Sequence, residues 1–92
     1  MTTIVDIKHV EDCLDGSTVK EVMLQQAINQ QLVQHLGQFG QLAYYPHFAK
    51  PFFKLTCPEQ LLLKGVEGNF TLRVRIYPPI DTHIQLLHNW LS

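Results

Sequence analysis

The chain has 92 residues, of which 46% are hydrophobic and 16% charged, and it carries a formal net charge of −1. This length predicts a single domain over residues 1–92, and the apolar share excludes an intrinsically disordered chain. No apolar run approaches the roughly 18–20 residues of a membrane span, and no signal peptide is recognisable, so we expect a cytoplasmic protein without a membrane partner.

The N-terminal segment, residues 1–16, gives two conflicting patterns. The spacing of Ile7, Val10 and Leu14 favours a short helix or turn over residues 6–14. Alternating residues at its start are typical of a strand instead: Thr3, Val5 and Ile7. We expect the short helix or turn.

A long helix is predicted over residues 19–38, because Thr18 and Glu21 have the spacing of a capping box. Apolar residues recur along one side of it: Leu24, Ile28, Leu32 and Leu36. The opposite side is made of amides: Gln26, Gln30, Gln34 and Gln38. An amide face forms hydrogen bonds without the desolvation cost of charge, which suits a protein interface. The alternative is an ordinary solvent-exposed helix.

Four strands are predicted after this helix, over residues 41–48, 52–57, 60–67 and 70–77. Pro46 indicates either that the first of them is an edge strand or that this strand ends there, and edge strands pair readily with other chains. We therefore predict self-association through one of two surfaces, the glutamine-rich helix or this edge. The candidate interface residues are Gln26, Gln30, Gln34, Tyr44 and Tyr45.

The last two strands are predicted to form a hairpin around Gly68-Asn69, a pair typical of a two-residue type II′ turn. In the predicted register, Glu67 faces Phe70 across the turn. The pairs that follow are Gly65 with Leu72, Lys64 with Arg73, Leu63 with Val74, Leu62 with Arg75, and Leu61 with Ile76. This register places the apolar pairs on one face, and a slip of one residue would destroy the match.

A short C-terminal helix is predicted over residues 82–92, with Asp81 as its cap and Ile84, Leu87 and Leu91 on one face. The predicted fold class is thus α+β. It is a two-layer domain with a four-stranded antiparallel meander, and the long helix and the short C-terminal helix lie on one face of the sheet.

Charge is unevenly distributed along the chain. Residues 1–21 hold five carboxylates against two lysines, whereas residues 50–75 hold five cations against two carboxylates. The candidate anion-binding residues share one face of the predicted sheet: Lys54, Lys64, Arg73 and Arg75. Aromatic residues are candidates for stacking on single-stranded bases: Tyr44, Tyr45 and Phe48. Alternatives are a plain solvated face, or an acidic N-terminal segment folded back over the basic residues.

No residue pattern indicates an enzyme, a cofactor or a metal centre. His9 and Cys13 have the spacing of half a zinc site on a helix, and no paired cluster completes it. We expect Cys13 and Cys57 to be reduced and packed. The sequence therefore predicts a small non-enzymatic protein-interaction module that forms a homodimer or binds another protein. The alternative function is binding of an anion or a nucleic acid through the basic sheet face. A third interpretation is an enzyme or small-ligand carrier, with the aromatic run of residues 44–53 as the wall of its pocket.

Overall fold

The computed structural model describes residues 3–91, which contain a six-stranded antiparallel sheet and two helices. In chain order the elements are β1 (Ile4–Asp12), β2 (Thr18–Leu24), α1 (Gln30–Gly37), β3 (Gln41–Tyr45), β4 (Phe52–Cys57), β5 (Leu61–Val66), β6 (Thr71–Ile76) and α2 (Ile80–Leu91). The strand order is β1-β2-β6-β5-β4-β3, so β1 and β3 form the two edges.

The predicted four-stranded meander with a long helix is wrong, although the α+β class and the antiparallel sheet are confirmed. Strands β3 to β6 do follow one another as a meander. The sheet continues beyond them, because β2 pairs with β6 and β1 pairs with β2. The short C-terminal helix is confirmed as α2, and it begins at Ile80.

The predicted long helix fails because its first residues form β2. The β-branched residues Thr18, Val19 and Val22 favour extended backbone, and β2 is paired with a strand on each side. Helix α1 begins only at Gln30, where the side-chain oxygen of Asn29 accepts a hydrogen bond from the Leu32 N–H over 2.9 Å. The apolar row is nonetheless buried, although its residues come from β2, the following connection and α1: Leu24, Ile28, Leu32 and Leu36.

The predicted helix or turn over residues 6–14 is also wrong, because β1 runs from Ile4 to Asp12. The pairing of β1 with β2 has irregularities between Ile4 and Asp6 and between His9 and Glu11. The extra residues at these points, Val5 and Val10, have no partner in the register and are exposed. Each extra residue shifts the two-residue alternation of a strand, which explains the helix-like spacing in the sequence.

The predicted pairs of the β5–β6 hairpin are confirmed from Leu61 with Ile76 to Gly65 with Leu72. The turn differs from the prediction, since the Asn69 N–H donates to the Val66 carbonyl over 3.1 Å. Gly68, with φ at 92°, is therefore the third residue of a turn over residues 66–69. The connection between β5 and β6 is thus longer than the predicted two-residue turn, and its backbone forms hydrogen bonds with residues 24–28.

Both helices pack on the same face of the sheet, where the apolar side chains of the strands form the core. Helix α1 contacts β3 and β4, and α2 contacts β6. The helical layer is joined by Phe39, whose ring stacks on Trp90 with centroids 4.7 Å apart, and by His35, whose Nε2–H donates to the Trp90 carbonyl over 2.6 Å. We call the opposite face of the sheet the open face. Neither helix of residues 3–91 is long and apolar enough to cross a membrane.

Candidate functional site

The four cations predicted to bind an anion lie on the open face, on three neighbouring strands. Strand pairing places Lys54 of β4 opposite Lys64 of β5, and Lys64 opposite Arg73 of β6. Arg75 follows two residues later on β6 and shares this face, because side chains alternate along a strand. We call Lys54, Lys64 and Arg73 the cation row, since they occupy adjacent positions across the sheet.

Acidic residues from the N-terminal part of the chain lie at the arginine end of the row. Arg73 is opposite Glu21 of β2, and its Nη2 atom donates to Glu21 Oε1 over 2.8 Å. Hydrogen bonds from the Ser17 hydroxyl and N–H lower the pKa of Asp15, and the charge of nearby Arg75 lowers it further. The acidic segment thus extends the sheet beside the basic residues and does not fold back over them.

The two lysines of the cation row are not paired with carboxylates in this way. Within residues 3–91, no carboxylate forms an ion pair with Lys54 or Lys64. Both side chains are exposed. Like charges placed directly opposite each other on neighbouring strands destabilise a sheet. An anion bound between the two lysines would remove this repulsion.

Three exposed aromatic rings lie next to the lysines, at the β3 edge. Tyr45 of β3 is opposite Phe52 of β4, and their rings stack with centroids 4.7 Å apart. Phe48, from the connection between these strands, lies 5.3 Å from Phe52 and 6.1 Å from Tyr45. The exposed fractions are 44% for Tyr45, 58% for Phe48 and 38% for Phe52. We call these three residues the aromatic cluster, and a contiguous exposed patch of this kind is typical of a binding surface.

Tyr45 and Phe52 of the aromatic cluster and the two lysines of the cation row border one shallow depression of about 420 Å³. Its lining residues come from β3, β4 and β5: Ala43, Tyr45, Phe52, Phe53, Lys54, Lys64, Gly65 and Val66. A mainly apolar lining with a few charged groups is the usual composition of a ligand site. The depression has aromatic rings at one end and two lysine side chains at the other.

The predicted interface residues do not form one surface. Gln26 precedes α1, whereas Gln30 and Gln34 lie exposed on it. Tyr44 and Tyr45 point to opposite faces of β3, because they are adjacent in a strand. Tyr44 faces the helical side, where its hydroxyl donates a hydrogen bond to the Glu67 carboxylate.

The half zinc site is not assembled in the described residues. His9 lies on β1 and Cys13 follows that strand, so the four-residue spacing no longer places them on one helix face. His9 lies near other groups, with Nδ1 3.4 Å from the Thr18 hydroxyl and Nε2 3.7 Å from an Asp12 oxygen. Over residues 3–91, no group of three metal-ligating side chains comes together.

Two residues of the site were given other roles by the sequence patterns. Phe52 was not among the stacking candidates, although it alternates with Lys54 and must share its face. Glu21 was assigned to a helix cap, so its ion pair with Arg73 could not be foreseen. The alternation around Lys54 was sufficient to find Phe52, whereas Glu21 required the pairing of β2 with β6.

Comparisons of this chain with protein-family models, with curated proteins and with solved structures find no match.

The hydrogen bond between Tyr44 and Glu67 predicts that the Tyr44 phenol loses its proton at a higher pH than an ordinary tyrosine. This bond, together with desolvation of the phenol, raises the pKa of Tyr44 above its ordinary value of 10.0. Glu67→Gln removes the charged acceptor, so we expect the pKa of Tyr44 to fall towards 10.0. The pKa of Tyr44 is raised in the folded state only. The stabilisation of the fold by this hydrogen bond is therefore complete at pH values below the pKa of Tyr44 in the unfolded chain, and it is lost as pH rises through the pKa of Tyr44 in the folded protein.

An ultraviolet titration of tyrosinate formation measures this change, and Glu59→Gln is the matched control because Glu59 lies in the turn before β5. A titration curve that Glu67→Gln leaves unaltered contradicts the assignment.

Proposed function

We propose that the protein binds a polyanionic macromolecule on its open face, with Lys54 and Lys64 as the main contacts and Arg73 and Arg75 as flanking ones. The observation that carries the proposal is the cation row, in which three positive side chains are adjacent across β4, β5 and β6. The four residues are those selected from the sequence as anion-binding candidates. Binding of an anion is thus preferred over the protein-interaction module as the function of this face.

The chain's net charge of −1 is compatible with this role. Exposed charges act over about 8–10 Å at physiological ionic strength, so the local arrangement matters more than the total. The carboxylates of Glu21, Glu11 and Asp15 lie towards the β1 and β2 side of the sheet, whereas the lysines lie on β4 and β5. A ligand at the lysine end meets mainly positive charge.

A binding role is supported over a catalytic one by the chemistry of the depression. Its charged lining groups are lysines, and neither a histidine nor a carboxylate is part of its lining. Such a surface holds an anion without supplying a general acid and base pair.

The two cysteines are both unpaired, which supports a reducing compartment such as the cytoplasm.

Loss of the lysine pair tests the proposal. In Lys54→Gln/Lys64→Gln, we expect weaker binding to a short fluorescein-labelled oligonucleotide and a smaller dependence of affinity on salt. Each lost phosphate contact on a single strand reduces the slope of log K against log salt by about 0.7, so the double variant should lose about 1.4. Fluorescence anisotropy over a series of salt concentrations measures both quantities.

Lys8→Gln is the matched control for one lysine, because Lys8 lies on the same face but on β1, beyond Glu21. A loss of binding free energy in this control that is half the loss in the double variant, and so equal per lysine removed, would show diffuse attraction and contradict a site at the lysine pair. Binding that does not respond to salt would contradict the polyanion proposal altogether.

Removal of the Glu21 carboxylate, which competes with the ligand for Arg73, should strengthen binding of the oligonucleotide. Glu21 holds Arg73 in an ion pair of 2.8 Å, so Glu21→Gln frees the arginine for the ligand. We expect affinity for the oligonucleotide to rise roughly two- to fivefold, in the range of an exposed ion pair of 0.2–1 kcal/mol. The same anisotropy titration measures the change.

Asp81→Asn is the control for Glu21→Gln, since it removes one negative charge from α2 on the other side of the sheet. A similar rise in both variants would indicate an effect of net charge alone. An unchanged affinity in Glu21→Gln would show that Arg73 takes no part in binding.

A second candidate function is self-association through β3. This strand pairs only with β4 among the described strands, so its other side offers backbone groups to a second copy. Tyr45 and the neighbouring Phe48 are exposed at the same edge. A homodimer or a complex with another protein therefore remains the second proposal, now placed at the edge strand and not at a long glutamine-rich helix.

Native mass spectrometry of the wild type and of Tyr45→Lys tests this candidate. We expect twice the chain mass for the wild type and the single mass for the variant, because a lysine at a sheet edge opposes pairing. Gln34→Lys, on the exposed side of α1, is the control with the same added charge. Loss of the dimer in Gln34→Lys but not in Tyr45→Lys would show that the dimer contact lies on α1. A monomeric wild type would eliminate self-association as a function.

A further inference from the structure

We infer that the ligand of the open face is a single-stranded nucleic acid, whose bases stack on the aromatic cluster while its phosphates contact Lys54 and Lys64. The inference rests on the polyanion binding proposed above and adds the class of polyanion. It is carried by the position of the aromatic cluster, which charge binding alone does not require.

The rings of the aromatic cluster are exposed on the open face. Tyr45 and Phe52 are stacked with 27° between their planes, and Phe48 packs against both. Their exposed fractions of 38–58% leave apolar ring surface in contact with water. A nucleobase covers such a surface with its own flat ring, and stacking of this kind accepts any base because every base has a π face.

The distance between the rings and the lysines matches the size of one nucleotide. Phe52 and Lys54 are two residues apart on one face of β4, so their positions are separated by about 7 Å. Lys64 lies directly opposite Lys54. The base and the phosphate of one nucleotide span such a distance, and both features border the same depression. A positively charged groove beside aromatic side chains is the general form of a single-strand binding site.

The open face suits a single strand better than a duplex. Base pairs of a duplex are read by an element that enters a groove, such as a helix or a two-stranded ribbon. The helices of residues 3–91 pack on the other side of the sheet, so the open face meets a duplex only through phosphates. The aromatic cluster would then remain uncovered. A single strand exposes its bases and covers both parts of the surface.

The experiment compares two ligands of equal length and charge. One is a fluorescein-labelled oligothymidylate, and the other is an abasic oligomer in which every base is absent. Polyanion binding alone predicts equal affinities for the two. Stacking predicts that the oligothymidylate binds at least roughly tenfold more tightly, near the lower part of the range found for single base–aromatic contacts. An oligouridylate of the same length distinguishes RNA from DNA as the source of the single strand.

The variant Phe48→Leu/Phe52→Leu keeps apolar side chains at both positions and removes the two rings. We expect its affinity for oligothymidylate to fall most of the way to the affinity for the abasic oligomer, since only the ring of Tyr45 remains. The affinity of the variant for the abasic oligomer should equal that of the wild type. Phe70→Leu is the matched control, because Phe70 is 52% exposed and lies outside the aromatic cluster. Circular dichroism and the mass of each variant establish that the fold and the assembly state are retained.

A preference for oligothymidylate or oligouridylate over the abasic oligomer, lost in the leucine variant and kept in Phe70→Leu, supports the inference. Equal binding of all three ligands overturns it and leaves the polyanion proposal standing. Absence of binding to any of them overturns both. A leucine variant that changes only the assembly mass, with oligonucleotide binding intact, also overturns the inference and assigns the rings to a second copy of the chain.

Discussion

Two short helices cannot cover both faces of a six-stranded sheet, and this constraint determines where every other feature lies. Helices α1 and α2 have 8 and 12 residues, which correspond to lengths of about 12 and 18 Å. Six strands extend over roughly 24 Å across the sheet. The helices therefore bury one face, and the strands direct the apolar side chains of the core to it. The opposite face must carry enough polar and charged groups to remain stable in water.

The arrangement of charge on that face follows from the position of β2. This strand enters the sheet between β1 and β6, so Glu21 lies opposite Arg73 in the same register that buries Val22 against Leu72. A slip of one residue would break the core and the ion pair together. Acidic groups are thereby collected at the β1 and β2 end of the sheet, and within residues 3–91 none of them forms an ion pair with the lysines of β4 and β5. The near-neutral total charge hides a separation of the two signs along the sheet.

The sequence was informative where a pattern was local and regular. The β5–β6 register could be derived because turn residues and alternation agree over consecutive residues, and it placed Lys64 opposite Arg73. The strand β2 could not be recognised, since a capping-box spacing and an apolar row at four-residue intervals both match a helix. Long-range pairing with β6 decided its structure, and single-sequence patterns carry no information on that partner. The cations could be named from the sequence because their strands alternate locally. The pairing of Glu21 with Arg73 could not, because it depends on the long-range pairing of β2 with β6.

The two proposed activities meet at β3 and are compatible in geometry. Antiparallel pairing of two β3 edges about a two-fold axis perpendicular to the sheet keeps both open faces on the same side. The aromatic clusters would then lie near the axis, with a lysine pair on each side of them. One strand of nucleic acid reaching both sites would bind the second intramolecularly, which raises its overall affinity without any new kind of contact. Self-association through this edge would thus extend the binding surface, provided that Tyr45 remains on the open face and is not buried between the copies.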